Sequence, residues 1–477
     1  MTSQPREMVP LCVDLDGTLI RTDLLLESLL ILMKQKPWDI FLLPTWLLKG
    51  KAYLKSSIAR RVDISPNHLP FNQGFLSYLS DQKSLGRSIL LVTASHRKFA
   101  ESVADHLGLF SEVLATEENT NLSGKTKRDL LLSRFGAKGF DYAGNAKADL
   151  AVWPHAFRSI VVDAPPGVLR QAKKSGNVTD VFTSSSLSLG VLIRALRVHQ
   201  WLKNILLFMP LFAAHAYGDL QTLKKVFLAF ITFSLCASSV YIINDLLDLQ
   251  SDRTHPRKRY RPFASGHLSI GSGIFLAPLL LVASFSLGLL LPLKFLAVLG
   301  IYLTLTLGYS LRIKRIIILD IVALAILYTI RIIGGGLAVE MQPSFWLLAF
   351  SVFFFLSLAM IKRYSELWTM KKIGQVTAHG RGYHTDDFPV ILSLGTGSSF
   401  VATLVFCLYI NSPEVKVLYR FPEALWLLIP ILLFWMSRAW IITHRGGMHD
   451  DPVLFAVRDR TSLVLVVLFV LIVLGAH

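Results

Sequence analysis

Three aspartates are spaced to bind a metal ion at the end of a long apolar run. Asp245, Asp248 and Asp252 follow the run 227–243, and they would share one helix face if the helix continued through 252. Neighbouring carboxylates repel one another and are costly to leave unpaired near a bilayer. Mg²⁺ removes both costs, because it binds one or two carboxylates and completes its shell with water and substrate phosphates. The stretch predicts a Mg²⁺–diphosphate site at a membrane surface; the alternative is a solvated acidic helix end.

Polar residues also follow short apolar runs in the first part of the chain. The runs 9–13, 88–95, 140–145 and 159–163 alternate with helical patterns. This alternation predicts an open parallel sheet with its site at the carboxyl ends of the strands. The polar residues in or near these runs are Asp14, Asp16, Thr93, Asn145 and Asp149, and Lys127 precedes the helical pattern 128–135.

The apolar residues are unevenly spread along a chain that is long enough for several domains. They make up 53% of the 477 residues and collect into long runs after about residue 200. Nine runs have the length of a membrane helix, which predicts an all-α polytopic bundle behind the α/β part. The expected spans are 203–217, 222–246, 270–291, 292–310, 316–339, 343–361, 389–410, 423–443 and 460–476.

The basic residues predict how these spans are oriented. Most Lys and Arg of the loops fall on one side, which the positive-inside rule assigns to the cytoplasm together with the N-terminal part and the Asp-rich stretch. Nine crossings of a bacterial-type inner membrane would place the C-terminus outside. The first ten residues lack an apolar core, so no signal peptide is expected.

The net charge of +17 fits an anionic substrate under an anionic leaflet. No basic stretch is interleaved with aromatic residues, so nucleic acid is not an expected partner. Cys12, Cys236 and Cys407 have no spacing typical of a disulfide or a metal site.

Residues 9–183 resemble the haloacid dehalogenase (HAD) superfamily of phosphohydrolases. Four motifs carry this resemblance, and they are Asp-x-Asp-Gly-Thr at 14–18, the hydroxyls that end the run 88–95, Gly-Lys-Thr-Lys at 124–127 and Gly-Asn at 144–145 with Asp149. The family usually has Gly-Asp in place of Gly144-Asn145, so Asn145 would offer a carbonyl oxygen but no charge.

The HAD resemblance implies a role for each of these residues. Asp14 would be the nucleophile that forms an aspartyl-phosphate, and Asp16 the general acid and base. Thr93 would hold the phosphate, and Lys127, with Lys125 as the neighbouring candidate, would neutralise the developing charge. The implied Mg²⁺ ligands are Asp14, Asp16, Asn145 and Asp149. A catalytically silent domain kept as a structural partner is the alternative.

These patterns set the expected domain boundaries. We expect a HAD-like domain over 1–183 with a helical cap at about 22–80, a linker at 184–190, and a membrane domain over 191–477. The apolar pieces between Leu24 and Leu48 are too short to span and are flanked by lysines, which is typical of a cap in the membrane interface. An ordinary apolar cap core is the alternative.

Residues 191–477 resemble the UbiA superfamily of intramembrane prenyltransferases. The nine spans and the motif Asn-Asp-x-x-Asp-x-x-x-Asp at 244–252 carry this resemblance. The family commonly has a second Asp-x-x-x-Asp motif, where this chain has Asp320 followed by Leu324. That departure is similar to the branch of decaprenyl-phosphate phosphoribosyltransferases. Three further motifs share the similarity: Arg-x-His-Gln-Trp-x-Lys-Asn at 197–204, Tyr-Ser-x-x-x-Lys at 309–314 and His-Asp-Asp-Pro at 449–452.

The branch implies transfer of a 5-phosphoribosyl group from phosphoribosyl diphosphate (PRPP) to a polyprenyl phosphate, with Mg²⁺ as the cofactor and Asp245, Asp248 and Asp252 as its ligands and catalytic residues. PRPP carries a diphosphate and a separate 5-phosphate, so its site needs more cations than that of a prenyl diphosphate. The expected substrate-binding residues are Lys203, Asn204, Asn244, Arg257, Arg259, Arg261, Tyr309, Lys314, Asp320, Arg331, Lys362 and Arg363.

Two other functions are compatible with the sequence. One is an aromatic prenyltransferase that uses a polyprenyl diphosphate to make quinone-type lipids, and it would also have to bind an aromatic acceptor and remove a ring proton. The other is a non-catalytic transporter or scaffold, whose charges would line a midplane pathway, whereas most charges here gather at one face. If the chain is a phosphoribosyltransferase, we expect the HAD-like domain to remove the 5-phosphate of its product, a cell-envelope precursor. Any oligomer would consist of copies of this chain.

Overall fold

The computed structural model describes residues 9–118, 120–175, 177–183, 188–372, 374, 382–448 and 451–477. The chain forms two compact units. The first runs to Leu196 and also includes Tyr241–Ala277, while the second consists of Arg197–Val240 and Pro278–His477. The Asp-rich stretch therefore belongs to the same compact unit as the N-terminal α/β part.

A parallel sheet of six strands forms the centre of the first unit. The strands are β1 (Leu11–Val13), β2 (Ile89–His96), β3 (Glu112–Thr116), β4 (Asp141–Gly144), β5 (Ser159–Val162) and β6 (Val178–Phe182). Their order is β3-β2-β1-β4-β5-β6, and every neighbouring pair is parallel. β1 is apolar at all three positions and fully buried, as expected of a central strand covered on both faces. The predicted parallel sheet is confirmed.

Helices connect these strands and supply the predicted cap. They are α1 (Leu24–Gln35), α2 (Leu43–Leu48), α3 (Lys51–Ala59), α4 (Gln73–Ser84), α5 (Arg97–Leu107), α6 (Lys125–Phe135), α7 (Pro166–Lys174) and α8 (Leu189–Leu196). Asp23 begins α1 by accepting a hydrogen bond from the amide of Leu26. The cap leaves Trp38 79% and Leu48 88% exposed, which agrees with an interfacial surface rather than a closed apolar core. Residues 184–187 of the predicted linker lie outside the described residues, and Leu189 and Gly190 already belong to α8.

Of the twelve remaining helices in the described residues, eight are long and apolar and four have seven residues or fewer. They are α9 (Met209–Ala213), α10 (Leu220–Leu247), α11 (Leu249–Thr254), α12 (Ile270–Gly288), α13 (Leu293–Leu311), α14 (Leu319–Ala338), α15 (Phe345–Lys372), α16 (Phe388–Ile410), α17 (Pro413–Leu418), α18 (Leu428–His444), α19 (Pro452–Arg458) and α20 (Arg460–Ala476). Seven helical stretches in the described part are long and apolar enough to cross a membrane, and the pair α19–α20, bent by 81°, could form an eighth. The chain is a multi-pass membrane protein.

The expectation of nine spans is not confirmed, because 203–217 is not among the seven stretches and 460–476 counts only as part of the bent pair α19–α20. The expected span 203–217 falls on a 3₁₀-helix at Val198–Phe208 followed by the short α9. Pro210 can only stand in the first turn of α9, and the left-handed backbone of His215 ends the segment. The membrane orientation stays a prediction, since the side of the C-terminus depends on the number of crossings.

The helix that carries the first aspartate does not continue through residue 252. α10 ends at Leu247, and Asp248 has φ −102° and ψ 12°, outside the helical region. A new helix, α11, then begins at Leu249. The helical spacing that would place the three aspartates on one face is therefore interrupted at the middle one.

Candidate active sites

The first candidate site lies at the carboxyl end of β1. Asp14 follows this strand and is 8% exposed, and its Oδ1 lies 3.0 Å from the Nζ of Lys127 at the start of α6. Thr93 on the neighbouring β2 is fully buried, and its Oγ1 accepts a hydrogen bond from the amide of Ser95. Because the central strands are parallel, their ends bring these distant residues together, as predicted.

Asp16 is held by two donors on the cap side of this site. Its Oδ2 accepts from the hydroxyl of Ser95 at 2.5 Å, and its Oδ1 from the amide of Leu24 at 3.0 Å. Burial raises the pKa of Asp16 to about 7, and it raises the pKa of Asp14 to about 6 against the opposing effect of Lys127. A carboxyl group that stays protonated near neutral pH can act as a general acid, and an ionised one beside it can act as a nucleophile.

Asp149 organises the site through a buried hydrogen-bond network. Its Oδ1 accepts from the hydroxyl of Tyr142 at 2.7 Å, and its Oδ2 accepts from the amides of Asn145 and Ala146. The Nζ of Lys127 donates to the same Tyr142 hydroxyl at 2.8 Å and lies 3.8 Å from Asp149. Sequence reasoning missed Tyr142, although a tyrosine within a buried strand signals that its hydroxyl needs a partner.

The oxygen atoms around Asn145 suit a divalent cation. The Oδ1 of Asn145 is buried, and within the described residues it has no hydrogen-bond partner. A Cβ at Gly17, whose φ is +73°, would lie 1.9 Å from the side-chain nitrogen of Asn145, so glycine makes room for the Asn145 side chain. The carboxylate of Asp14 and the carbonyl oxygen of Asn145 are oxygen ligands of the kind that Mg²⁺ prefers, and the roles of Asp16 and Asp149 as further ligands stay predictions.

The second candidate site is the Asp-rich stretch of the first unit. Asp245 and Asp252 are each 2% exposed, and the Nη1 of Arg261 lies 3.2 Å from Asp245 Oδ1 and 2.6 Å from Asp252 Oδ2. A cation thus already bridges the two buried carboxylates, and their oxygens suit Mg²⁺, which commonly takes two carboxylates. Asp248 stands apart because of the helix break, and its Oδ1 lies 2.6 Å from the Nζ of Lys34.

The expected three-carboxylate cluster is therefore not formed in this conformation. Across the described residues no group of three His, Cys, Asp or Glu side chains is close enough to hold a metal ion. Asn244 lies half-buried on α10, while Arg257 and Arg259 are exposed beyond α11. Both charges face solvent, where they can attract an anionic substrate, and Arg259 also donates to the hydroxyl of Tyr260.

In the second unit, two of the predicted lysines converge on one carboxylate. Asp451 Oδ2 accepts from the Nζ of Lys203 at 2.6 Å and from the Nζ of Lys362 at 3.4 Å. Burial would raise the pKa of Asp451, but the two lysines hold it well below its ordinary value. His449 and Asp450 of the predicted motif lie outside the described residues. Two ammonium groups facing one carboxylate form a partly buried site with a net positive charge, which suits a phosphate.

Asp320 and Arg363 form a buried ion pair. The Nη2 of Arg363 lies 2.5 Å from Asp320 Oδ2, and the hydroxyl of Tyr383 donates to Asp320 Oδ1 at 2.6 Å. Arg363 also pairs with Glu366, and both Asp320 and Arg363 are 0% exposed. Such a buried network is costly to break, so this geometry favours a structural role over the substrate-binding role that was expected.

Arg331 belongs to a separate buried network. Its Nε donates to Asn204 Oδ1 at 2.8 Å and its Nη2 to the hydroxyl of Tyr302 at 3.1 Å, while Asn204 donates to Ser234. Lys203 and Asn204 are adjacent in the sequence, but Lys203 contacts Asp451 whereas Asn204 contacts Arg331. Tyr309 and Lys314 are half-buried at and just beyond the end of α13, and their substrate-binding role stays a prediction.

Both halves of the chain match known protein families. Residues 205–463 match the UbiA prenyltransferase family, and residues 11–151 match the haloacid dehalogenase-like hydrolases. An uncharacterized protein of Sinorhizobium fredii is 36% identical over 459 residues, which cover 95% of this chain and 88% of that protein. Both halves therefore occur joined in a second protein.

Two named relatives match a little over half of this chain. Nodulation protein NoeC of Azorhizobium caulinodans is 34% identical over 57% of this chain and 88% of its own length. Decaprenyl-phosphate phosphoribosyltransferase of Mycolicibacterium smegmatis is 30% identical over 57% of this chain and 88% of its own length.

Proposed function

The chain belongs to the UbiA prenyltransferase family and carries an N-terminal HAD-like domain, and on this premise we propose that it transfers the 5-phosphoribosyl group of PRPP to a polyprenyl phosphate. The observation that carries this proposal is the convergence of Lys203 and Lys362 on Asp451. PRPP has a 5-phosphate in addition to its diphosphate, and it therefore needs a second anion site that a prenyl diphosphate does not. The relative in Mycolicibacterium smegmatis, named for this reaction, supports the same choice.

The contacts of Asp320 also support PRPP as the substrate. A second Asp-x-x-x-Asp motif is common in the family, whereas here Asp320 is taken up by Arg363 and Tyr383. In the described part of the chain, Asp245 and Asp252 are then the best-placed carboxylates for a metal-bound diphosphate. Bound Mg²⁺ would neutralise the diphosphate as it leaves.

The protein side chains would act by binding and orienting the two substrates. Within the second unit, Lys203 and Lys362 would exchange part of their contact with Asp451 for the 5-phosphate. A phosphate oxygen of the lipid attacks C1 of the ribose as the bond from C1 to the diphosphate oxygen breaks. Since the acceptor is already an oxyanion, no general base is required. We place both sites on the cytoplasmic side of a bacterial inner membrane, following the distribution of basic residues.

The HAD-like domain would then remove the 5-phosphate from the lipid product. An Asp14 carboxylate oxygen attacks the phosphorus, and the departing 5-oxygen of the ribose takes the proton of Asp16. Water then hydrolyses the aspartyl-phosphate, with Asp16 as the base. The hydrogen bonds from Ser95 and Leu24 hold Asp16 in place for both steps.

A substrate panel tests the proposed transfer. The purified protein is incubated with Mg²⁺ and either PRPP plus polyprenyl phosphate or polyprenyl diphosphate plus an aromatic acceptor, and the lipids are analysed by mass spectrometry. We expect a lipid that has gained a pentose or a pentose phosphate in the first mixture, and no prenylated aromatic in the second. A prenylated aromatic would identify an aromatic prenyltransferase, and the absence of any Mg²⁺-dependent product would favour a scaffold.

Asn145 offers a separate test of the phosphatase site. Asn145→Asp adds a charged ligand in the space that Gly17 leaves open, so we expect the Mg²⁺ concentration for half-maximal phosphatase activity to fall about tenfold. The measurement is hydrolysis of para-nitrophenyl phosphate over a Mg²⁺ titration. Asn67→Asp, the same change at an exposed position of this unit, should leave the titration unchanged. An unchanged or higher Mg²⁺ requirement in Asn145→Asp would contradict a ligand role for residue 145.

A further inference from the structure

The cap helix of the HAD-like domain contacts the Asp-rich stretch within the first compact unit. The Nζ of Lys34, near the end of α1, lies 2.6 Å from Asp248 Oδ1 and donates to the carbonyl oxygen of Leu247 at 3.0 Å. One turn into α11, the Nη1 of Arg253 lies 2.6 Å from Glu27 Oε1, also on α1. Two ion pairs thus join a helix of the predicted phosphatase domain to the segment that contains the predicted ligands of the transferase metal ion.

The Glu27–Arg253 pair is the fixed part of this contact. The side chains are 1% and 5% exposed, Glu27 Oε2 accepts from the hydroxyl of Thr22 at 3.0 Å, and Arg253 Nε donates to the carbonyl oxygen of Ala264 at 3.1 Å. A buried ion pair with these additional hydrogen bonds has one good geometry. It fixes α1 against α11 and thereby sets the distance between Lys34 and Asp248.

The Lys34–Asp248 pair is the adjustable part. Its side chains are 40% and 27% exposed, and the lysine ammonium sits on a flexible stem. A divalent cation bound in the Asp-rich stretch would repel this ammonium group, which would then need another acceptor. An oxygen of the metal-bound diphosphate would be a suitable acceptor.

We infer that Lys34, a residue of the HAD-like half, is part of the transferase site: it holds Asp248 in the absence of substrate and binds a diphosphate oxygen once the metal and substrate are present. The inference rests on the proposed transferase function. It gives the fusion of the two halves a chemical reason, because a transferase half expressed alone would lack this cation.

Lys34→Met tests the inference through two effects of opposite sign. Without the ammonium group, we expect Mn²⁺ alone to bind about threefold more tightly, because a partly exposed competing charge is gone. We expect inorganic diphosphate to bind the Mn²⁺-loaded protein about tenfold or more weakly, because a charge-assisted hydrogen bond is lost. Both constants are measured on the full-length protein by the electron paramagnetic resonance signal of free Mn²⁺. An Asp14→Asn background weakens the phosphatase metal site.

Two control variants separate this role from mere support of the fold. Lys36→Met removes the same charge from an exposed position two residues further on and should change neither constant. Lys34→Arg keeps the charge and should restore diphosphate binding. If Lys34→Met weakens Mn²⁺ and diphosphate binding together, or changes neither, the inference is overturned.

A different observation would contradict the proposed transferase function. If the wild-type protein makes no ribosylated lipid from PRPP but Lys34→Met still shifts the two constants in opposite directions, Lys34 serves a metal–diphosphate site that uses another substrate. If ribosylated lipid is made and the constants do not move, the transfer stands and the role of Lys34 is wrong.

Discussion

Asp245→Asn should lower the rate of PRPP-dependent transfer by about a hundredfold to a thousandfold at saturating Mg²⁺, the usual cost of removing one strong electrostatic contact to the reacting group. Asp245 is nearly buried and shares the guanidinium of Arg261 with Asp252. Asparagine keeps the size of the side chain and one acceptor for Arg261 but loses the charge that holds a metal ion. The measurement is diphosphate release, together with the thermal unfolding midpoint in detergent.

Asp248→Asn should also abolish transfer, while the unfolding midpoint changes little because Asp248 is partly exposed. Asp219→Asn is the matched control, since Asp219 precedes the same helix at its other end, is exposed, and can cap that helix as asparagine. Activity retained by Asp245→Asn or Asp248→Asn would rule out the ligand role of that residue.

Asp14→Asn should lower phosphatase activity by at least about a thousandfold, because the amide cannot act as the nucleophile. The expected consequence in a coupled reaction with PRPP and polyprenyl phosphate is a lipid that keeps its 5-phosphate. Wild type should instead accumulate the dephosphorylated lipid. Mass spectrometry distinguishes the two products by one phosphate group.

The control for this experiment is Asp81→Asn, which changes an exposed aspartate on α4 and should behave as wild type. Lys127 keeps the hydroxyl of Tyr142 and the carboxylate of Asp149 as neighbours in Asp14→Asn, so the domain should stay folded. If wild type and Asp14→Asn accumulate the same 5-phosphorylated lipid, the HAD-like domain is not the phosphatase of this product.

The sheet and its site could be predicted because their signals are local in the sequence. Each apolar run became a buried strand, and parallel pairing then brought Asp14, Thr93 and Lys127 to one edge. The Tyr142–Asp149 hydrogen bond could not be anticipated, since it depends on how a side chain turns within a packed core.

The membrane part was less predictable for two physical reasons. Apolar length alone does not distinguish a spanning helix from the 3₁₀ segment at Val198–Phe208, whose Asn204 is used in a polar network. Charged partners also come from different helices: Asp320 and Arg331 share α14, but the structure pairs Asp320 with Arg363 and Arg331 with Asn204. The break at Asp248 was missed as well, because the residues around it have ordinary helix propensities.

The location of the metal ion and diphosphate tests the central claim most directly. We predict that crystals of the full-length protein grown with Mn²⁺ and diphosphate show an anomalous peak within about 2.5 Å of carboxylate oxygens of Asp245 and Asp252. Arg261 should no longer bridge them, Asp248 should have released Lys34, and the diphosphate should contact the ion. An ion bound elsewhere, with Arg261 still between Asp245 and Asp252, would contradict the assignment of this stretch as the transferase site.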